Sequence, residues 1–166
     1  MDGIYGQALA KRYDWRPVAA AVRRWQADQG RGTIELRIGT VDTEFGTVHH
    51  APRASTLVVR ASFGLKSNFF VLLKPAVARA NLPTMRRTLG ADSARVASLA
   101  EVHLMTRCRP GCVPPIATLF DLSLLVDSRL ADAEAVFVPS GQPGYATLIR
   151  MRDLLRAENA RVVPAA

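Results

Sequence analysis

The sequence predicts a single α+β domain with a curled, largely mixed β-sheet, close to a barrel, and helices on its outer side. Three observations support this fold class. Runs rich in β-branched and aromatic residues, typical of strands, occur at residues 56–61 and 68–73 and again after residue 122. Stretches with helical spacing of apolar residues lie before, between and after these runs. A length of 166 residues with 49% hydrophobic residues suits one globular domain.

The first 31 residues predict a basic helical extension of this domain, which as a whole spans residues 1–166. Pro17 suits the first position of a helix, and residues 18–27 continue it with helical spacing. We expect Trp15 and Trp25 to anchor the packing of this helix, the alternative being platforms for nucleic-acid bases. The arginines expected on its exposed side are Arg12, Arg16, Arg23 and Arg24.

The strands are predicted from alternation and residue type. Alternating apolar and polar residues predict a half-buried strand at residues 33–38. After the pair at 56–61 and 68–73, three further strands are expected near residues 123–126, 135–138 and 145–149. His49 and His50 fall in a mixed segment, and neighbouring side chains point to opposite faces of a strand. We interpret them as surface residues, with a general base or a phosphate contact as the alternative.

Three more helices are predicted along the chain. Residues 75–89 form the first of them, although Pro83 must lie near its start or at a break. The second covers residues 99–107, with Ser98 as N-cap and Glu101 completing a capping box. The third covers residues 151–158 and leads into a tail of Ala, Val and Pro.

The formal net charge of +8, from 22 basic and 14 acidic residues, predicts a polyanionic partner. Most of the basic residues are arginines, whose planar guanidinium matches phosphate oxygens. A solubilising surface is the alternative explanation. The sequence has no apolar run of about 18 residues and no secretory signal at its start, so we expect a cytoplasmic protein with no membrane partner.

The two cysteines have the spacing Cys-x-x-x-Cys, at Cys108 and Cys112. The three histidines form no matching set of metal ligands, so we expect two free thiols, no metal and no cofactor. A redox pair or a metal site is the alternative.

The loop at residues 111–115 is the strongest candidate for chemistry. Its prolines fix the backbone, whereas Gly111 allows conformations that are closed to other residues. Such a loop can turn N–H groups toward a ligand and hold a carbonyl or a developing oxyanion. A plain tight connection is the alternative interpretation.

The order of six motifs along residues 54–157 resembles the YbaK family, the aminoacyl-tRNA synthetase-associated editing domain. A Thr-Leu-Val strand begins at Thr56, a Leu-Gly turn at Leu89, and the proline-ended glycine loop at Gly111. There follow strands leading to Asp-x-x-Leu at Asp127 and to a small-residue-Gly turn at Gly141, and then an Asp-Leu-Leu helix at residues 153–155.

This resemblance implies a deacylase that hydrolyses the ester of mischarged tRNA, with the tRNA acceptor end as substrate and a synthetase as a further partner. A water positioned by the ribose hydroxyl would attack, and no covalent nucleophile is expected. The implied catalytic positions are Gly111, Cys112, Pro115 and Ser55. The candidate substrate-binding positions are Thr56, Asp127, Gly141, Gly144 and Tyr145, together with two cations near Ser55, Arg53 and Lys74. For Asp127 the alternative is that it stabilises its own turn.

The chain departs from the family at Ser55, where the family has a lysine that meets the terminal nucleotide of the tRNA. An impaired tRNA-binding or protein-interaction module is therefore the alternative function, and a structural role without RNA is a third. On this view Ser55→Lys should raise the rate. The deacylase function is favoured if Arg53, Lys66 or Lys74 reaches Ser55. A second departure is Arg107, where the family usually has glycine.

Overall fold

The computed structural model describes residues 14–31, 34–37 and 51–165. Predictions for Arg12, His49 and His50 lie outside these residues. The elements in chain order are α1 (Arg16–Asp28), β1 (Glu35–Arg37), β2 (Ala54–Phe63), β3 (Lys66–Pro75), α2 (Leu82–Leu89), β4 (Ser93–Val96), α3 (Leu99–Thr106), a 3-10 turn (Ala117–Phe120), β5 (Ser123–Asp127), β6 (Ala135–Pro139), β7 (Tyr145–Arg150), α4 (Met151–Ala157) and β8 (Arg161–Val163).

The strands form two sheets, and the α+β class is confirmed. One sheet has the order β1-β7-β6 and is antiparallel; the other has the order β4-β2-β3-β5-β8 and is mixed. The prediction of a curled, barrel-like sheet is wrong. The outer strands of the larger sheet, β4 and β8, are only four and three residues long, and among the described residues no ladder joins them. Both sheets therefore stay open.

The β2–β3 hairpin is longer than predicted, because its pairing continues to Ala54 opposite Pro75. Its two faces bury different cores. Val58 packs in the larger core, whereas Val59 on the opposite face packs in a smaller core together with Met85 of α2. Since side chains alternate along a strand, Ser55 lies on the Val59 face.

The helix predicted at residues 75–89 forms only from Leu82 onward. Pro75 is instead the last residue of β3, and Asn81 starts the helix by accepting a hydrogen bond of 3.0 Å from the Thr84 N–H. The capping box of α3 is confirmed: Ser98 and Glu101 exchange their hydrogen bonds at 3.1 and 2.9 Å.

Strands β4 and β8 and the 3-10 turn were not predicted. Strand β8 lies in the tail of Ala, Val and Pro, where it pairs in parallel with β5 and brings Val163 into the smaller core. The three residues of β8 are too few to give a periodic signal in the sequence.

Helix α1 packs into the larger core through Val22, which has no exposed surface. The Gln26 side chain donates hydrogen bonds to the Thr147 hydroxyl (3.1 Å) and the Leu148 carbonyl (2.8 Å). Trp25 packs against the same core, as predicted, and Arg16, Arg23 and Arg24 are exposed. No helix in the described part of the chain is both long and apolar enough to cross a membrane.

Arg107 ends α3 in the left-handed region, at φ 60°. A residue with a side chain destabilises the fold by about 1–2 kcal/mol in this conformation. Glycine avoids this cost, but the extra backbone entropy that it loses on folding cancels about half of the gain. We expect Arg107→Gly to raise the free energy of unfolding by about 0.5–1 kcal/mol, or about 2–3 °C in Tm. Thermal unfolding followed by circular dichroism measures this. Arg107→Ala is the matched control. If its free energy of unfolding rises by the same amount, the effect comes from the loss of the arginine side chain and not from the glycine backbone.

Candidate functional site

Three polar side chains lie in a row across the ends of neighbouring strands. Ser55 of β2 is directly opposite Lys74 of β3. Leu73 pairs with Val126 of β5, so that Lys74 and Asp127 are the next residues of these two parallel strands. Because side chains alternate, Ser55, Lys74 and Asp127 share one face of the larger sheet. We call these residues, together with Arg129, the polar cluster.

Lys74 reaches Ser55. Its Nζ donates to the Ser55 Oγ at 2.9 Å, to the Ala78 carbonyl at 2.6 Å and, more weakly, to the Pro75 carbonyl at 3.5 Å. Of the other two candidate cations, Lys66 lies at the far end of β3, where it pairs with Phe63. Arg53 lies just before β2 and bridges to Phe137 through its backbone. Lys74 is therefore a cation in direct contact with Ser55.

The surroundings of Lys74 act on its pKa in opposite directions. Partial burial lowers the pKa of the Lys74 amine, and the nearby positive charge of Arg129 lowers it further. The carboxylate of Asp127 raises it, as the smallest of the three effects. Two positive groups and one negative group thus interact at the end of the sheet.

Asp127 holds Arg129 in one orientation. The carboxylate is 1% exposed, and its Oδ1 accepts hydrogen bonds from the Arg129 backbone N–H (2.9 Å) and Nε (3.2 Å). Its Oδ2 accepts from Nη2 at 3.2 Å, whereas the Arg129 side chain remains 51% exposed. The backbone bond is an Asx-type turn, and the two side-chain bonds fix the guanidinium plane.

Arg129 is not among the site residues predicted from the sequence. The signal was nevertheless present, because an arginine two residues after an aspartate that ends a strand can fold back onto that carboxylate.

The Gly111 loop is attached to β2 through Thr56. The Thr56 hydroxyl donates to the Val113 carbonyl at 2.6 Å, and both residues are buried. Gly111 has φ +83°, a conformation that favours glycine, and Pro115 is buried. The Cys112 N–H already donates to the Arg109 carbonyl at 2.9 Å, so a substrate carbonyl would have to replace that turn bond.

The two cysteines are free thiols. Burial raises the pKa of Cys108 to about 12, and it also raises the pKa of Cys112. Both groups are therefore protonated at neutral pH and are poor nucleophiles. No group of residues suited to a metal ion occurs in the described ranges 14–31, 34–37 and 51–165.

The Gly141 loop lies against α1. A Cβ at Gly141 would come within 3.0 Å of Val18 Cγ1, and its φ of +92° also favours glycine. The loop closes on itself where the Tyr145 N–H donates to the Gln142 carbonyl at 3.2 Å, with Gly144 at φ +79° between them. That this loop forms a wall opposite Gly111 stays a prediction.

A cavity of about 740 Å³ lies elsewhere, between α1 and the smaller sheet. Its lining includes Trp25, Arg31, Leu148 and Asp153 but none of the predicted site residues. The cavity and the polar cluster are therefore separate features of the fold.

The model of a family described as aminoacyl-tRNA editing domain matches residues 42–157. A crystal structure described as a candidate trans-editing enzyme for prolyl-tRNA synthetase has a TM-score of 0.70 at 23% identity, covering 90% of this chain and 96% of that one. The crystal structure of a hypothetical protein has a TM-score of 0.70 at 23% identity, covering 87% and 97%. These structural similarities concern the fold alone. No curated protein matches the chain.

Proposed function

Since the chain belongs to the aminoacyl-tRNA editing domain family, we propose that it hydrolyses the ester that joins a wrong amino acid to the 3′ end of tRNA. The observation that carries this proposal is the 2.9 Å contact between Lys74 Nζ and Ser55 Oγ. The resemblance implies a cation at position 55, and Lys74 supplies one from the neighbouring strand. In this proposal Lys74 offsets the loss of the family lysine.

In the proposed reaction a water molecule attacks the ester carbonyl, and the products are the free amino acid and the tRNA with its ribose hydroxyl restored. The neighbouring ribose hydroxyl helps to position the water. The Gly111 loop, fastened to β2 by the bond between Thr56 and Val113 on the face opposite to the Ser55 side chain, is the part of the proposed site that presents backbone toward the carbonyl. Lys74 donates to Ser55 and does not accept its proton, so we assign no nucleophilic role to Ser55.

The test is a deacylation assay over a panel of tRNAs charged with correct and incorrect amino acids. We expect accelerated hydrolysis for a subset of the mischarged tRNAs and none for the matched pairs. Hydrolysis no faster than the spontaneous rate for every member of the panel would reject the deacylase.

Binding to tRNA should depend steeply on salt. The net charge of +8 and the exposed arginines of α1, Arg16, Arg23 and Arg24, favour contacts with several phosphates. Because each neutralised phosphate releases counterions, we expect the affinity to fall about 10³-fold or more between 50 and 200 mM salt for six or more contacts. Fluorescence anisotropy with labelled tRNA measures this, and an affinity independent of salt would contradict it.

A tRNA-binding module without activity is the second candidate. It is favoured by the fact that the Lys74 hydrogen bonds go to Ser55, Pro75 and Ala78, so that this ammonium is directed into the protein. This candidate predicts salt-dependent binding of tRNA together with no hydrolysis in the panel. The two assays therefore separate the candidates.

A further inference from the structure

The exposed guanidinium of Arg129 is held in a fixed orientation by a carboxylate that solvent hardly reaches. Asp127 is 1% exposed and accepts from the backbone N–H, Nε and Nη2 of Arg129. These bonds use one edge of the guanidinium. The Nη1 group lies outside them, on a side chain that is 51% exposed.

The charge of the polar cluster is not balanced. Lys74 and Arg129 are positive and Asp127 is negative, so the three groups carry one net positive charge. The two cations are close enough for Arg129 to lower the pKa of Lys74. Two cations that repel each other around one carboxylate are stabilised when a further anion binds.

The two cations differ in what they can offer to that anion. The Nζ of Lys74 donates to Ser55 Oγ and to two carbonyls. It therefore acts on the anion mainly through the electrostatic attraction of its positive charge. Arg129 has free donors in a fixed plane, which is the arrangement that matches the oxygens of a phosphate group.

We propose that Arg129, oriented by Asp127, makes the direct hydrogen bonds to a phosphate group of the bound nucleic acid at its terminal nucleotide. Lys74 supports this contact through its charge, and Ser55 keeps Lys74 in place. Asp127 acts as a positioning residue and does not contact the substrate. The assignment of the phosphate to a terminal nucleotide rests on the proposed function; the phosphate site itself does not.

The experiment is a titration of the full chain with 5′-AMP, which carries the phosphate of a single nucleotide, followed by ¹H–¹⁵N spectra that include the arginine Nε–H signals. We expect saturable shifts that include the Arg129 Nε–H, competition by inorganic phosphate, and binding of adenosine at least ten times weaker. Adenosine binding as tightly as 5′-AMP, or no competition by phosphate, would overturn the phosphate site.

The deciding variant is Asp127→Asn combined with Arg129→Gln. It removes the guanidinium but leaves no buried carboxylate unpaired, and it keeps the net charge of the cluster at one positive unit. We expect 5′-AMP to bind at least ten times more weakly to this variant, as the loss of charge-assisted hydrogen bonds requires. Unchanged affinity would show that charge alone attracts the phosphate and would refute the role of Arg129.

Two further variants serve as controls. Arg129→Lys keeps the charge beside Asp127 without the planar donors and should bind 5′-AMP more weakly than the wild type. Lys66→Gln removes a positive charge at the far end of β3 and should bind it equally well. Because the titration involves no hydrolysis, a chain that binds 5′-AMP through Arg129 but cleaves no ester would refute only the proposed function.

Discussion

Replacing Lys74 with methionine is expected to lower the rate of deacylation by about 10²-fold, the effect of removing one preorganised charged group from a catalytic site. The side chain keeps a similar length and loses its charge. Two consequences follow from the contacts of Nζ. Ser55 Oγ loses its donor at 2.9 Å, and the Ala78 carbonyl loses its donor at 2.6 Å. The measurement is kcat/KM on the mischarged tRNA that the wild type hydrolyses fastest.

The matched control is Lys66→Met, which makes the same change eight residues earlier on the same strand, about 26 Å away along β3. We expect this variant to keep the wild-type rate. Thermal unfolding of both variants separates a catalytic loss from a folding defect, because the two unpaired acceptors of Lys74→Met also reduce stability. A folded Lys74→Met protein with full activity would remove Lys74 from the site.

The elements that sequence reasoning predicted correctly are those whose signals are local. The capping box of α3 depends only on Ser98 and Glu101, three residues apart, and it forms as expected. The prediction that a helix begins at residue 75 was wrong, because Pro75 can end a strand as well as begin a helix. The pairing of Pro75 with Ala54 decides in favour of the strand. That pairing is a long-range contact and leaves no trace in the local composition.

The candidate site likewise combines features that local motifs predict with one that depends on long-range strand pairing. The Gly111 loop and Asp127 were predicted from motifs, and the turn that Asp127 forms with Arg129 is local. The contact of Lys74 with Ser55 joins residues 19 positions apart and depends on the register of the hairpin. A register shifted by one residue would put Lys74 on the other face, so the sequence could name Lys74 as a candidate but could not choose it over Lys66.

The contact between Lys74 and Ser55 argues against one expectation from the sequence, that Ser55→Lys should raise the rate. The new ammonium would stand directly opposite Lys74 in the hairpin, with Arg129 also close. Two like charges about 4 Å apart repel by about 4 kcal/mol at an effective dielectric constant of 20. We therefore expect Ser55→Lys to lower both the thermal stability and the rate, the latter by tenfold or more as one ammonium is displaced from its site.

Exchanging the two residues should undo this loss. The double variant Ser55→Lys/Lys74→Ser carries one lysine and one serine in the same cross-strand pair, with the cation moved to β2 and the total charge unchanged. We expect it to be more stable and faster than Ser55→Lys, and also faster than Lys74→Ser alone, which has no lysine in the pair.

Rates of the four proteins on one mischarged tRNA form a double-mutant cycle, and a large coupling energy is the expected result. If the two single changes add without coupling, or if Ser55→Lys alone exceeds the wild type, then Lys74 does not take the place of the family lysine. The coupled result would mean that the site requires one cation in this pair and accepts it from either strand.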